Sequence, residues 1–447
     1  MKNFLRTLIL LSLLVPTLVP TASWALDVRR EVLDNGLTLL YSNRSNLPVV
    51  KVTVLIRASK MNETDQKAGL ANITAAMLTE GTRSRTSEQI SGEIEFMGAS
   101  LDAGIEADYT IVALSVLQKD VDKGFEILSD VILNPAFAES ELKHKKALIK
   151  GSLKQSEEDP GYVAQKTFIR DLYGDFPYGR LNEGNSVTID AIKKEDLVKF
   201  HDDYYLPSSS IISIVGSISY DEALNLIKKY MSEWKNVQTG TAQSLPSLKH
   251  RTKRHAALID MDITQANVIL GNYGISRGDP DFYPLSVMNY ILGGGGFSSR
   301  MDMIIRDKMG LAYDVHTHFA SYKHAGDFTA VIQTKNEMAN TAIREMLKQI
   351  KKMKQDKVTD QELQGAKDFL IGSFPRRIDT MDKISNFMAQ VEFLGLGLDY
   401  EQKYKDYINA VTTQDVHRVA NKYLDDVNYQ LVVVGKLKKV KLAKRFK

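Results

Sequence analysis

The chain has 447 residues, with 58 Lys and Arg against 55 Asp and Glu, 43% hydrophobic residues and no cysteine. The lack of cysteine excludes disulfide scaffolds, thiolate metal sites, iron–sulfur ligation and cysteine nucleophiles. Ordinary globular composition at this length predicts two to three domains, because single cores stop growing at roughly 250–300 residues.

Residues 1–25 stand apart from the rest. Lys2 and Arg6 give a positive start, positions 4–19 are almost wholly apolar, and Ser23-Trp24-Ala25 puts small residues where a signal peptidase reads. The segment reads as a cleaved secretory signal and predicts export, to the periplasm in a Gram-negative host. A membrane anchor is the alternative, but the run falls short of the ~20 residues a spanning helix needs and is broken by Pro16 and Pro20. No other segment is long and apolar enough to span, so no stable membrane insertion is expected after cleavage. Without residues 1–25 the balance is 56 basic against 55 acidic, a net charge of +1 that gives no sign of nucleic-acid binding.

Residues 30–41 predict two short strands joined by a tight turn at Asp34-Asn35-Gly36, and residues 50–56 a further strand. Helical spacing follows over 68–78, where Leu70, Ile73 and Met77 share a face, and over 87–97, 121–132 and 139–155. A helix over 194–205 and a strand over 210–216 close the unit, an α+β pattern. Its end recurs at the end of the chain. Residues 191–200, Tyr204 and Val215-Gly216 are matched, at a constant offset of 219, by 410–419, Tyr423 and Val434-Gly435. Glu141-Leu142 and Gly151-Ser152 recur at an offset of 221 as Glu362-Leu363 and Gly372-Ser373. The chain therefore reads as one plan used twice, with domains at 27–235 and 250–447 and a Gln-, Thr-, Ser- and Gly-rich linker at 236–249.

Several local motifs join this repeat: Leu33-Asp34-Asn35-Gly36-Leu37, then Gly69-Leu70-Ala71 with Met77-Leu78 and Gly81-Thr82, then residues 98–103. In the second half stand Leu292-Gly293-Gly294, Ser298-Ser299-Arg300 and Gly310-Leu311-Ala312-Tyr313. Together they resemble the inverted-zincin peptidases, the family of pitrilysin, insulin-degrading enzyme and mitochondrial processing peptidase, over essentially all of the chain after residue 25. The resemblance implies two homologous α+β domains, each an antiparallel-rich sheet with helices packed on one face, forming half of a clam-shell chamber.

Active members carry His-x-x-Glu-His on the first helix, which places two imidazoles on one face for Zn²⁺ and a Glu to activate water. Here the matching positions are Asn72, Ala75 and Ala76, and the family's third ligand falls near Gly151 or Ser152. None of these residues can take its role. Catalytic zinc needs about three N/O ligands, and of the eight histidines only His316-Thr317-His318 has chelating spacing, on one face if it forms a strand. An exposed strand is the plainer reading. There is no Gly-x-Ser-x-Gly elbow for a serine hydrolase.

The second half keeps more. Gly293, Gly294, Gly295 and Gly296 could let a backbone approach a ligand closely, and the run lacks the Gly-Lys-Ser/Thr ending of a phosphate loop. A flexible connection between helices is the alternative. The resemblance implies peptide contact, since the zinc-free subunit of the processing peptidase has a glycine-rich segment implicated in recognising extended peptides. Arg306 and Tyr313 match, in identity and spacing, a family pair that reaches across the cavity to the substrate: the phenol can donate to an oxyanion and the guanidinium can bind a carbonyl or carboxylate. Zinc positions lost in one half and Arg306/Tyr313 kept in the other imply the non-zinc-binding subunit of an exported heterodimeric zinc peptidase. No cofactor is then expected in this chain, and zinc is expected in a zinc-bearing homologous partner. The other reading is a catalytically silent structural or peptide-binding scaffold, and a homodimer stays open.

Overall fold

The computed structural model describes residues 26–236, 245–248 and 253–446. The signal segment at 1–25 and positions 237–244 and 249 of the linker lie outside the described residues. Two mixed sheets hold the eleven strands described. The first contains β1 (Arg29–Val32), β2 (Thr38–Asn43), β3 (Val49–Ile56), β4 (Ser100–Ile105), β5 (Thr110–Leu117) and β6 (Ser210–Gly216), in the order β1-β2-β6-β3-β5-β4. The second contains β7 (His255–Asp260), β8 (Gln265–Tyr273), β9 (Ala312–Ser321), β10 (Gly326–Lys335) and β11 (Gln430–Gly435), in the order β7-β11-β8-β10-β9. Leaving out β1, the two orders are the same. In each sheet one pair is parallel, β2 with β6 and β7 with β11, and the remaining pairs are antiparallel.

Eight helices carry the argument: α1 (Leu70–Met77), α2 (Glu139–Ser156), α3 (Pro160–Tyr173), α4 (Lys194–Tyr204), α5 (Phe282–Asn289), α6 (Asp360–Ser373), α7 (Met381–Leu394) and α8 (Thr413–Tyr423). The repeat is visible in their ends. Asp196 reaches back to the Lys193 amide at the start of α4, and 219 residues later Asp415 does the same for Thr412 at the start of α8. Each sheet packs one face against helices of its own half, closing one large apolar core per half.

The other face of each sheet is covered by a helix from the opposite half. α3 lies on β8 and β11, whereas α7, which begins 221 residues after α3, lies on β3 and β6. This exchange explains the sequence of the central strands. β6 and β11 are buried throughout, and with apolar cover on both sides they read as near-continuous hydrophobic runs, not as alternation. Phe168 of α3 is fully buried against Gly271 of β8, where an added Cβ would come within 2.8 Å of its ring. Polar contacts fix both seats. Tyr173 Oη donates to Asp327 Oδ2 at 3.0 Å, and Ser385 Oγ donates to Thr53 Oγ1 at 2.8 Å and to the Ser213 carbonyl at 3.2 Å. The halves are thus interlocked rather than merely tethered.

Candidate functional site

In the first half α1 is well built. The buried carboxylate of Glu63 accepts the Gly69 amide at 3.1 Å and the Ala71 amide at 2.6 Å, satisfying donors at the helix start that would otherwise be orphaned. Burial pushes the Glu63 carboxyl up to about 7 and pushes the neighbouring Lys60 ammonium down. α1 packs against α2, so the two elements that would carry zinc ligands are side by side. The positions themselves are blank. Ala75 is fully buried, Asn72 and Ala76 are half-exposed, and Gly151 and Ser152 face solvent on α2, with nothing within 4 Å of a Cβ placed on Gly151. An amide, two methyls, a glycine and a hydroxyl do not make a zinc donor set, so these residues do not fit the metal.

In the second half α5 runs directly into a wide π-turn, Tyr290–Gly294. The glycine run is packed, not loose. A Cβ on Gly293 would lie 2.7 Å from the Thr317 side chain of β9, one on Gly294 2.5 Å from Asn289 Nδ2, and one on Gly295 2.7 Å from the Tyr290 carbonyl. Gly293 is buried and only Gly296, with φ +56°, is open all round. The absence of side chains therefore lets the segment lie flat against β9, and Gly294 and Gly296 form its exposed surface. Just beyond, Arg300 grips Glu362 through Nε at 2.6 Å and Nη2 at 2.8 Å, tying the segment to α6. Burial would raise the Glu362 carboxyl, but Arg300 and the Thr359 cap hold it below its ordinary value.

Arg306 and Tyr313 are brought together. Arg306 stands on a second π-turn, Asp302–Lys308, and Gly310, with φ +60°, reverses the chain between it and Tyr313 at the start of β9. Such wide turns re-aim side chains and recur at functional sites. Arg306 Nη1 donates to the buried Asp302 at 3.2 Å and lies 3.7 Å from Asp307. Its guanidinium sits 4.4 Å from the Phe297 ring centre and 5.7 Å from that of Tyr313. Tyr313 is 88% exposed and Phe297 72% exposed. Two large rings kept in water around a fixed cation are what a surface built for contact presents. Phe297 was not legible as a site residue. Its one sequence signal is a bulky ring ending a glycine run, and its meaning depends on Arg306 folding beneath it.

His316 and His318 share the open face of β9, as their spacing predicts, alternating with Val315 and Thr317, which are buried on the other face. His316 Nδ1 lies 2.8 Å from Asp314 Oδ2, and burial together with His316 lowers the His318 imidazole below its ordinary value. Among the described residues no group of three or more His, Asp or Glu side chains is placed to hold a metal ion, and no described helix is long and apolar enough to cross a membrane.

The α1/α2 pair is thus a well-built helix scaffold that offers no zinc donor set at Asn72, Ala75, Ala76, Gly151 and Ser152. Comparison with known proteins makes the class specific. Residues 38–184 match the profile of insulinase (peptidase family M16) and residues 191–370 that of the peptidase M16 inactive domain. The two matches together span well over half of the chain, which belongs to the M16 family. It is 28% identical to an uncharacterized zinc protease of Rickettsia felis over 90% of this chain and 96% of that protein. It is 25% identical to a non-peptidase homolog, YmxG, of Helicobacter pylori over 99% of this chain and all of that protein. A crystal structure of a peptidase M16 inactive domain from Pseudomonas fluorescens has the same fold, with TM-score 0.85 and 24% identity, covering 92% of this chain and 98% of that one. The chain is thus an M16 homologue of the inactive-domain type, with the family's fold.

Proposed function

We propose that this chain is the non-zinc subunit of an exported two-chain zinc peptidase, pairing with a zinc-bearing homologue and supplying Arg306 and Tyr313 in trans. The observation that carries the reading is the exposed Phe297–Arg306–Tyr313 cluster, which has a cation fixed in place and a phenol projecting into solvent. Zinc and water activation belong to the partner. Here Tyr313 Oη donates to the oxyanion formed on a peptide carbonyl, and Arg306 holds a neighbouring carbonyl or carboxylate of the substrate through its free guanidinium edge. The exposed backbone at Gly294 and Gly296 guides an extended peptide past this pair. The segment at 1–25 directs export, and the periplasm is the compartment this reading assigns.

The test is to purify the chain alone and with the zinc-bearing homologue encoded in the same genome and to follow hydrolysis of unfolded peptides. The mixture is expected to be active where this chain alone is silent, and Arg306→Ala or Tyr313→Phe to abolish the gain. A mixture no faster than the homologue by itself would sink the proposal. A silent scaffold is the second reading, favoured by one specific feature: Arg306 already has two acidic neighbours in its own chain, Asp302 and Asp307. In that case the pair only braces β9, and neither substitution changes any rate.

A further inference from the structure

Positive charge is unevenly placed along the chain. Residues 436–447 hold seven Lys and Arg and no acid, and residues 249–254 hold four more. Setting these eleven aside leaves 47 basic against 55 acidic residues, so a chain of net charge +3 is a negatively charged body with two basic segments.

The fold brings described members of the two segments together. β7 and β11 run parallel, and the His255 amide donates to the Tyr429 carbonyl at 3.0 Å, so Lys253 and Arg254 stand beside the entry to β11. Arg254 hydrogen-bonds the Tyr429 phenol, and Arg445 acts on the same phenol through its field. After leaving β11 at Gly435, the tail must therefore double back. Asn340 pins it there, its Nδ2 donating to the Val440 and Lys441 carbonyls at 2.8 and 3.2 Å and its Oδ1 accepting the Ala443 amide at 2.8 Å. Val440, Leu442 and Phe446 are buried beneath, and Lys438, Lys439, Lys441, Lys444 and Arg445 are exposed above. Lys439 pairs with Glu337 at 3.2 Å, and the other four have no acidic partner among the described residues.

We propose that this strip adsorbs the protein to a membrane surface rich in anionic phospholipid. Basic residues near such a surface each strengthen binding about fivefold through the headgroup phosphates. The apolar residues of the tail are committed to the core, so the contact is electrostatic and reversible, without insertion. Phe446 and Tyr429 are 4% and 2% exposed, so neither offers a face for bases to stack on, which favours phosphate headgroups over single-stranded nucleic acid. The acidic remainder is repelled by the same surface, so the molecule is oriented as well as held. The strip lies at the β7 edge of its sheet and Tyr313 on β9 at the opposite edge, four strand spacings or about 19 Å away. Adsorption therefore leaves the Arg306 cluster free to meet a peptide.

The test is co-sedimentation of the full chain with vesicles of phosphatidylcholine, alone or with about one-third phosphatidylglycerol, at low and high salt. The ratio of anionic to neutral binding cancels the apolar contribution of residues 1–25, and the pull of Lys2 and Arg6 on anionic lipid is common to the parent and the substituted chain, so it drops out when their ratios are compared. The ratio is expected to be large, to collapse at high salt, and to fall by on the order of 10²–10³-fold when Lys438, Lys441, Lys444 and Arg445 are all changed to Gln. All four are exposed, and a thermal melt matching the parent keeps the comparison fair. A ratio near one, a ratio indifferent to the four substitutions, or tighter binding to duplex DNA than to anionic vesicles at the same salt would overturn the proposal.

Discussion

The helix pair α1/α2 and the turn that carries Arg306 occupy different halves of one duplicated fold and present opposite surfaces. The α1 face keeps its architecture: Glu63 caps the helix, Ala75 is wholly buried, and α2 lies alongside. At Asn72, Ala75, Ala76, Gly151 and Ser152 it offers no zinc donor set. The Arg306 face keeps chemistry at a cost in solvent exposure, with Phe297 and Tyr313 held in water where burial would stabilise each by ~1.5–3 kcal/mol. The difference is the one the proposed role calls for, a first half that serves as a wall and a second that serves as a working surface.

The comparison breaks first if the wall can be made to work again. Asn72→His, Ala75→Glu and Ala76→His together are expected to cost ~3 kcal/mol or more, because a carboxylate replaces a methyl with no exposure. They should still fail to bind stoichiometric zinc, since Gly151 and Ser152 offer no third ligand; metal analysis and a denaturant melt read both outcomes. Next in size is the working surface. Tyr313→Phe is expected to lower kcat of the two-chain mixture by ~10²–10³-fold, as for loss of one oxyanion donor, yet leave the melting temperature in place, because Tyr313 is 88% exposed.

The seam between the halves gives the third prediction. Burial pushes the Asp327 carboxyl up to about 6, from an ordinary value of 3.8, while its bond from Tyr173 pulls the other way. A carboxyl with a raised folded-state value holds its proton longer in the folded protein than in the unfolded one. Folding is therefore favoured at low pH, and stability is lost as pH rises from about 4 to about 6, by on the order of 2–3 kcal/mol. Asp327→Asn should make the fall in stability shallower in melts taken between pH 4 and 7, leaving the part that the raised Glu63 carboxyl contributes. Smallest is Phe297→Ala, expected to raise KM severalfold by removing one side of the Arg306 clamp, worth ~0.5–1 kcal/mol at an exposed site, with kcat little changed.

Much of the scaffold could be read from the chain because its elements carry local signals. The Asn-Gly turn set β1 and β2, apolar spacing set α1, and the offset of 219 paired α4 with α8 and β6 with β11. α3 is hard to read from local pattern, although its Asp159-Pro160 start is a helix opening and the 221 offset leads from it directly to α7. Its apolar face, Val163, Ala164, Phe168 and Leu172, rests on the other half's sheet, and no local period reveals which sheet a helix will cover. The hairpin β4–β5 was also missed, its half-buried alternation obscured by Gly98 and Gly104. At the candidate site, motif spacing singles out Asn72, Ala75 and Ala76 and the Arg306/Tyr313 pair, and the fold does set Arg306 beside Tyr313. The tight seating of Gly293 on Thr317 was not legible in this way, because it depends on β9 folding back from twenty residues further along.

The central claim is that this chain completes another chain's active site. A fixed amount of the zinc-bearing homologue, titrated with this chain while peptide hydrolysis is followed, tests it directly. The rate is expected to climb steeply and break at one equivalent, and to stay flat when the added chain carries Arg306→Ala. A flat response to the unaltered chain, or a rise that the Arg306→Ala chain reproduces in full, would contradict it.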